Sequence, residues 1–459
     1  MPRRRLPAEP NMTTALHFAD FLHHLARRGL DPARADRLAL HLFDTLGALA
    51  AGRTVADAKA IATLAPGAGP TAPPPAWIGA ATIRCTEIDD IHLSACVTPS
   101  AAIVPVLLEC TAGMPDLGGP CLLQAYLSGL EAMLRFAHAA GGPRLMQRGI
   151  WPSRLAAPIG AAAAASVLLS SDAERTAHAL AIAAAMAAGL SPRGAVPSSR
   201  WLVFGRAVDD GVMAARAAAA GLRGDPTLLD EGWAKSTGIP LDPGGLDAGP
   251  GDALLTAGLG LKPWCAARQT MAAVTGFMEL LRRHDLDAAA LARVEVAVPP
   301  AYASMIDHDD LPTTRPASFA NLRYLLGLAA FAPEGLLDVG REDLRIDARL
   351  DSLARRTHIE GSDALSARYP ECWPARVSVE TARGAHHSIE ITEMPGDATN
   401  PFTWDRVEAK IARATRLGAD HVSPLANACR TLPQADSAAD LIAALAACCA
   451  AVDAGGGGP

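Results

Sequence analysis

Four side chains able to move protons fall within six residues: Glu87, Asp89, Asp90 and His92. Carboxylates and an imidazole that share one face of a short turn near a helix start can hold an anion or have their pKa values tuned for acid/base work. The competing reading makes Asp89 and Asp90 helix caps with internal hydrogen bonds, and His92 a satisfied structural histidine. Farther along, Arg200 and Arg268 carry forked, permanently charged donors that suit a bound carboxylate or, equally, a structural ion pair. A guanidinium does not act as a base, so both point to anion holding rather than proton shuttling. Cys265 could be a catalytic thiol, although a small buried apolar residue is the simpler reading.

Helices have to position most of these groups. From Thr13 to about Leu64 apolar residues recur at helical spacing, as in Leu38, Leu42, Leu46 and Leu49, and Gly52 supplies a stop. The Pro/Gly-rich run Pro66 to Pro75 reads as a loop. A helix is predicted from near Ala101, and others over 124–139, 155–169, 173–188 and 208–220. After the glycine-rich stretch Asp242 to Gly251 the texture changes. Residues 293–298, 376–381 and 387–392 alternate with period two, and the turn at Arg383-Gly384 makes a hairpin of the last two. Helices are predicted over 269–283, 317–332 and 341–356. Beyond Pro401 the helical pattern returns. The predicted fold is therefore mainly α, a large all-helical domain with an inserted smaller α+β lid domain. The expected bounds are 10–258 and 397–452 for the helical domain, 259–396 for the lid and 453–459 for a disordered tail, with a ligand cleft between domain and lid.

Composition narrows the partners. Half of the 459 residues are hydrophobic but only 4% are aromatic, so the core must come from close-packed Ala and Leu helix faces. A net charge of -7 and no basic stripe interleaved with aromatics argue against nucleic acid. The apolar runs are short and alanine-rich, below what a membrane span needs, and the basic start lacks a signal-peptide core. The nine cysteines show no zinc spacing and read as reduced thiols. A cytoplasmic location is expected, with no membrane partner.

Five segments in register carry a resemblance. These are Asp44-Thr45-Leu46-Gly47 with Ala51-Gly52, Glu87 to His92 followed by Pro99-Ser100, and Gly149 to Ser153. Arg200 with Gly211 to Ala215, and Lys262-Pro263-Trp264-Cys265, complete the set. Together they resemble the MmgE/PrpD family. The resemblance implies an all-helical domain plus lid, a homodimer, and metal- and cofactor-independent proton transfer next to a carboxylate of a small metabolite. Arg200 and Lys262 fall in the segments that match the family's lysines. Tyr324 resembles a tyrosine that the family points at its ligand, though the residues alone favour a core tyrosine. The chain departs where the family has Asp, Thr and His, carrying Glu87, Ile91 and Thr98. Trp151 and Met271 stand where it has histidines, and Arg200 where it has lysine, leaving His92 as the imidazole nearest the expected site. Trp151 and Met271 also imply a less polar pocket.

The expected activity is a cofactor-independent lyase, dehydratase first and decarboxylase or isomerase next. Glu87, Asp90, His92 and Tyr324 would be catalytic. Asp89, Thr98, Trp151, Arg200, Lys262, Arg268 and Met271 would bind the substrate. The alternative is a non-catalytic binding or assembly protein that keeps the fold. An Ala/Arg/Gly-heavy composition fits a high-GC genome, and a biosynthetic role on an unusual metabolite is expected.

Overall fold

The computed structural model describes residues 12–65, 73–114, 116–189, 197–247 and 253–455. Its hydrophobic residues form two cores. The first joins helices Thr14–Arg27, Pro32–Gly52, Ala76–Thr86, Ser100–Thr111, Gly119–Ala139, Pro152–Leu168, Ala173–Met186 and Ser199–Ala219 to the late helices Trp404–Thr415, Ala419–Thr431 and Ala439–Gly455. Small residues let these helices approach closely. A Cβ on Gly129 would lie 2.8 Å from Ala164 Cβ, and one on Gly160 2.7 Å from Met133 Cβ, so helices 119–139 and 152–168 pack nearly backbone to backbone. Asp31 and Asp172 cap their helices by accepting from Arg34 and Arg175 backbone N–H groups.

The second core is drawn from residues 266 to 394 together with Cys96 and is built on a four-stranded sheet. Its strands are β3 (Leu291–Val298), β4 (Thr357–Gly361), β5 (Ala375–Thr381) and β6 (His386–Ile391). β5 and β6 form the antiparallel hairpin expected from their alternation, and Gly384 (φ +81°) takes the left-handed position in the turn. β3 pairs antiparallel with β5 and parallel with β4. β4 is a strand that the pattern did not predict: Thr-His-Ile-Glu-Gly buries only Thr357, and an exposed edge strand has no apolar alternation to show. Helix Arg268–His284 lays Val274 and Phe277 onto this core.

Two predicted helices are cut back. The one expected over 341–356 begins only at Ala348, because Arg341 and Arg345 take positive φ and Asp347 accepts from the N–H groups of Arg349 and Leu350. The one expected over 317–332 splits into Arg315–Ser318 and Leu322–Phe331, with Asn321 capping the second by accepting from Tyr324 N–H. A small ladder also joins β1 (Ile91–His92) to β2 (Leu259–Gly260), so strand structure reaches into a stretch that shows no strand period. Leu259 and Leu261 belong to the first core, a few residues beyond the expected division at 259. The tail expected from 453 is helical through Gly455, and residues 456–459 lie outside the described residues, as do 66–72 and 248–252 of the two glycine-rich loops.

Candidate functional site

The turn after helix Ala76–Thr86 is the centre of the site. Glu87 ends that helix in the left-handed conformation (φ 55°), which swings the next residues back across the helix end. Arg84, one turn earlier, donates from Nη2 to Glu87 Oε1 at 2.9 Å and from Nη1 to both oxygens of Asp89. Lys262 Nζ closes the cluster, 2.9 Å from Glu87 Oε2 and 3.3 Å from Asp89 Oδ1. Lys410, from the returning helices, donates to Ile88 O at 2.8 Å and to the buried Asp44 at 2.6 Å, tying the turn to helix Pro32–Gly52. Burial alone would raise the Glu87 carboxyl, but Arg84, Lys262 and Arg200 outweigh it and hold it at about 2. Glu87 is therefore ionised at any physiological pH.

A cavity of about 1110 Å³ opens between the two cores. The structure brings Glu87, Thr98, Trp151, Arg200, Lys262 and Arg268 together on its wall. Thr98 N–H donates to Ser153 Oγ at 3.2 Å, which joins two of the predicted turns behind the cavity. The Arg200 guanidinium stacks on the rings of Trp151 and Trp201, each centroid 4.7 Å away, and burial lowers its pKa. Arg268 opens helix Arg268–His284. Its Nη2 reaches both Asp397 oxygens, at 2.8 and 3.0 Å, while its buried Nε and Nη1 have no hydrogen-bond partner among the described residues.

The other predicted residues lie off the cavity wall. Asp89 sits directly behind it as the partner of Arg84 and Lys262. Asp90 is fully buried, accepts from Ser100 N–H at 3.2 Å and from Ser100 Oγ, and burial raises its carboxyl to about 7. Its neighbour His41, with Nδ1 3.9 Å from Asp90 Oδ2, is pushed down to about 3 by burial. His92 accepts the Ala95 N–H at Nδ1 (3.2 Å), packs against Gly258 and is lowered to about 4 by burial, so its ring serves the fold beside the cavity. Tyr324 and Met271 lie wholly in the second core, where burial raises the Tyr324 hydroxyl pKa. The Cys265 thiol is buried against Thr86 O and its pKa is raised by burial.

The structure adds residues to the site that the sequence reading passed over. Arg84 precedes Glu87 by three positions on a helix, a spacing that does signal a pair. Tyr302, Tyr369, Trp373 and His308 also line the cavity, but they come from separate segments whose convergence no local pattern records. His308 is an exposed imidazole on the wall, the position expected of His92.

Comparison with known proteins agrees with this architecture. Residues 16–238 match the MmgE/PrpD N-terminal domain, and residues 264–428 match the MmgE/PrpD C-terminal domain. The chain belongs to the MmgE/PrpD family. It is 32% identical to human (Homo sapiens) cis-aconitate decarboxylase over 158 residues and 29% identical to the mouse (Mus musculus) protein of that name over 160 residues. Each match covers 34% of this chain and 32% of the relative, so the chain aligns with about a third of the curated relatives' length.

The residues expected to depart from the family pattern have structural parts of their own. Trp151 builds the ring stack that holds Arg200, and its backbone N–H donates to Gly189 O at 2.7 Å. Among the described residues, no group of three His, Cys, Asp or Glu side chains is placed to hold a metal ion, and no helix is long and apolar enough to cross a membrane.

Proposed function

We propose that this protein is a lyase of the dehydratase or decarboxylase type, acting without a cofactor on a small carboxylate-bearing metabolite held between the two cores. The observation that carries this reading is the pairing, on one cavity wall, of an ion-paired Lys262 with an Arg268 whose Nε and Nη1 donors are unengaged. Arg268 and Arg200 hold the carboxylate and stabilise charge that builds up beside it. Lys262, fixed by Glu87 and Asp89, delivers a proton to the carbon or oxygen that becomes basic as the bond breaks.

Glu87, held near 2, is too weak a base to remove a carbon-bound proton efficiently, so its part is to orient Lys262 and Arg84. That balance supports proton delivery, as in loss of carbon dioxide, over proton removal, and His308 is the wall residue suited to the reverse role. The second core acts as a lid, and the protein works as a homodimer in the cytoplasm. The test is incubation of the purified protein with a panel of citrate-like and unsaturated carboxylic acids, read by mass for loss of water or carbon dioxide, alongside light scattering for the dimer. Absence of any product across the panel, with binding retained, would favour the second reading, a binding protein, to which the neutralised Glu87 cluster gives its support.

A further inference from the structure

We infer that Arg341 is a positioning residue of the cavity, its buried guanidinium holding the chain from Lys262 to Arg268 and the segment around Ser318 in place along one wall. This rests on the proposed function only for the parts given to Lys262 and Arg268.

The chain between those two residues needs support from outside. Residues 262–267 belong to no helix or strand, so the backbone polar groups there must find partners elsewhere. Cys265 is the midpoint, three positions from Lys262 and three from Arg268. Its N–H donates to Leu336 O at 2.9 Å. Its carbonyl accepts from Arg341 Nη2 at 2.9 Å, and the same Nη2 reaches Leu336 O at 3.2 Å. That one NH2 group bridges both sides of the Cys265–Leu336 contact.

The other arm of the guanidinium takes hold of a second stretch of wall. Arg341 Nη1 donates to Ser318 Oγ at 3.0 Å, and that hydroxyl donates on to Arg315 O at 2.7 Å. Phe319, next in the chain, lines the cavity and accepts the Ala267 N–H at 2.8 Å. Arg315 in turn donates to Cys85 O, and the Cys265 thiol to Thr86 O at 2.6 Å. The same network therefore reaches the helix end that carries Arg84 and Glu87.

Stability alone is a poor reason for an arginine here. Arg341 is 2% exposed, and every acceptor of its guanidinium is neutral, a hydroxyl or a backbone carbonyl. Asp338 accepts the Arg341 backbone N–H instead, and its carboxylate pairs with Arg345 and Arg416 at 3.7 and 3.2 Å. Arg341 Nε is buried with no hydrogen-bond partner among the described residues. The rings of Phe319 and Tyr324, 5.5 and 5.9 Å from the guanidinium carbon, offset part of the lost hydration. A guanidinium out of water with no carboxylate beside it is costly, and a φ of 40° at a non-glycine residue adds strain. Costs of this kind persist where the surroundings fix one geometry, as at a site. An unbranched apolar side chain could occupy the space without the charge, but it could not tie the two wall segments together.

The test uses the full-length protein labelled with 5-fluorotryptophan and read by fluorine NMR, unaltered and as Arg341→Met and Arg341→Lys. Trp264 lies inside the held segment, half-buried and with Nε1 unpartnered among the described residues, whereas Trp233 and Trp404 pack in the first core and report on the fold. Trp264→Phe assigns the signal. In Arg341→Met the Trp264 signal is expected to shift while those of Trp233 and Trp404 stay. On the panel acid that is converted, kcat should fall at least about tenfold with KM changed less than about threefold, since a misplaced catalytic group slows chemistry more than binding. Arg341→Lys should restore part of both, because an ammonium can reach one carbonyl but does not span Ser318 and Cys265 as a fork. If Arg341→Met does not fold, Ser318→Ala, which removes only the Nη1 acceptor, should show the same displacement in smaller measure. An unmoved Trp264 signal, or an unchanged kcat per folded molecule, overturns the proposal. Conversion of no panel acid would sink the lyase reading instead, and the Trp264 signal across the variants then decides by itself whether Arg341 holds the wall.

Discussion

Lys262 Nζ stands 2.9 Å from Glu87 Oε2, and the two residues are 175 positions apart in the chain. That contact crosses from the helical core to the segment leading into the second core, so the ammonium is a structural tie as well as the proton donor of the proposed mechanism. Lys262→Ala is expected to leave Glu87 and Asp89 sharing Arg84 alone, lowering stability by about 3 kcal/mol for a broken buried pair and turnover by about a hundredfold for a lost general acid. Thermal unfolding and product formation measured on the same preparation check both effects.

Arg200 stacks on two indole rings and makes no ion pair among the described residues, so its removal should not strand a protein carboxylate. Arg200→Ala is expected to weaken carboxylate binding by about 2 kcal/mol while the fold persists. Arg200→Lys should recover only part, because an ammonium stacks and forks less well. Unfolding of Arg200→Ala, or unchanged affinity, would make Arg200 a structural residue.

His92 lies behind the wall with its Nδ1 engaged and its ring against Gly258. His92→Ala should lower stability by about 1 to 3 kcal/mol through the unsatisfied Ala95 N–H and the space left beside Gly258, while turnover per folded molecule stays unchanged. Active-site titration together with a melting curve separates the two, and a large loss of turnover would return His92 to the site.

Asp90 predicts a pH dependence of stability. Its carboxyl, ordinarily near 3.8, is raised to about 7 by burial, so the folded protein holds this proton more tightly than the unfolded chain. The stabilisation from the protonated group is complete below about pH 4 and is lost as pH rises through 7. Asp90→Asn, which stays neutral, should therefore improve relative to the unaltered protein by on the order of 2 kcal/mol between pH 5 and pH 8. Denaturant unfolding at the two pH values measures the difference, and a change of the opposite sign would show that Asp90 is ionised in the fold.

The sequence by itself determined the helical class, the hairpin of β5 and β6 and the family, because 3.6- and two-residue periods and local motifs are written in neighbouring residues. It also located the turn from Glu87 to His92 and the cations Arg200, Lys262 and Arg268. Only the tertiary structure decided which of those residues meet. Glu87 faces the cavity while Asp90 and His92, three and five positions on, turn into the core, because Lys410 and Asp44 from distant segments pin the backbone between them. The aromatic wall, the exposed edge strand β4 and the spare donors of Arg268 were equally illegible, since each depends on long-range partners such as Asp397, 129 residues away. Local sequence fixes what a segment can form, whereas burial, charge pairing and pKa depend on the segments packed against it.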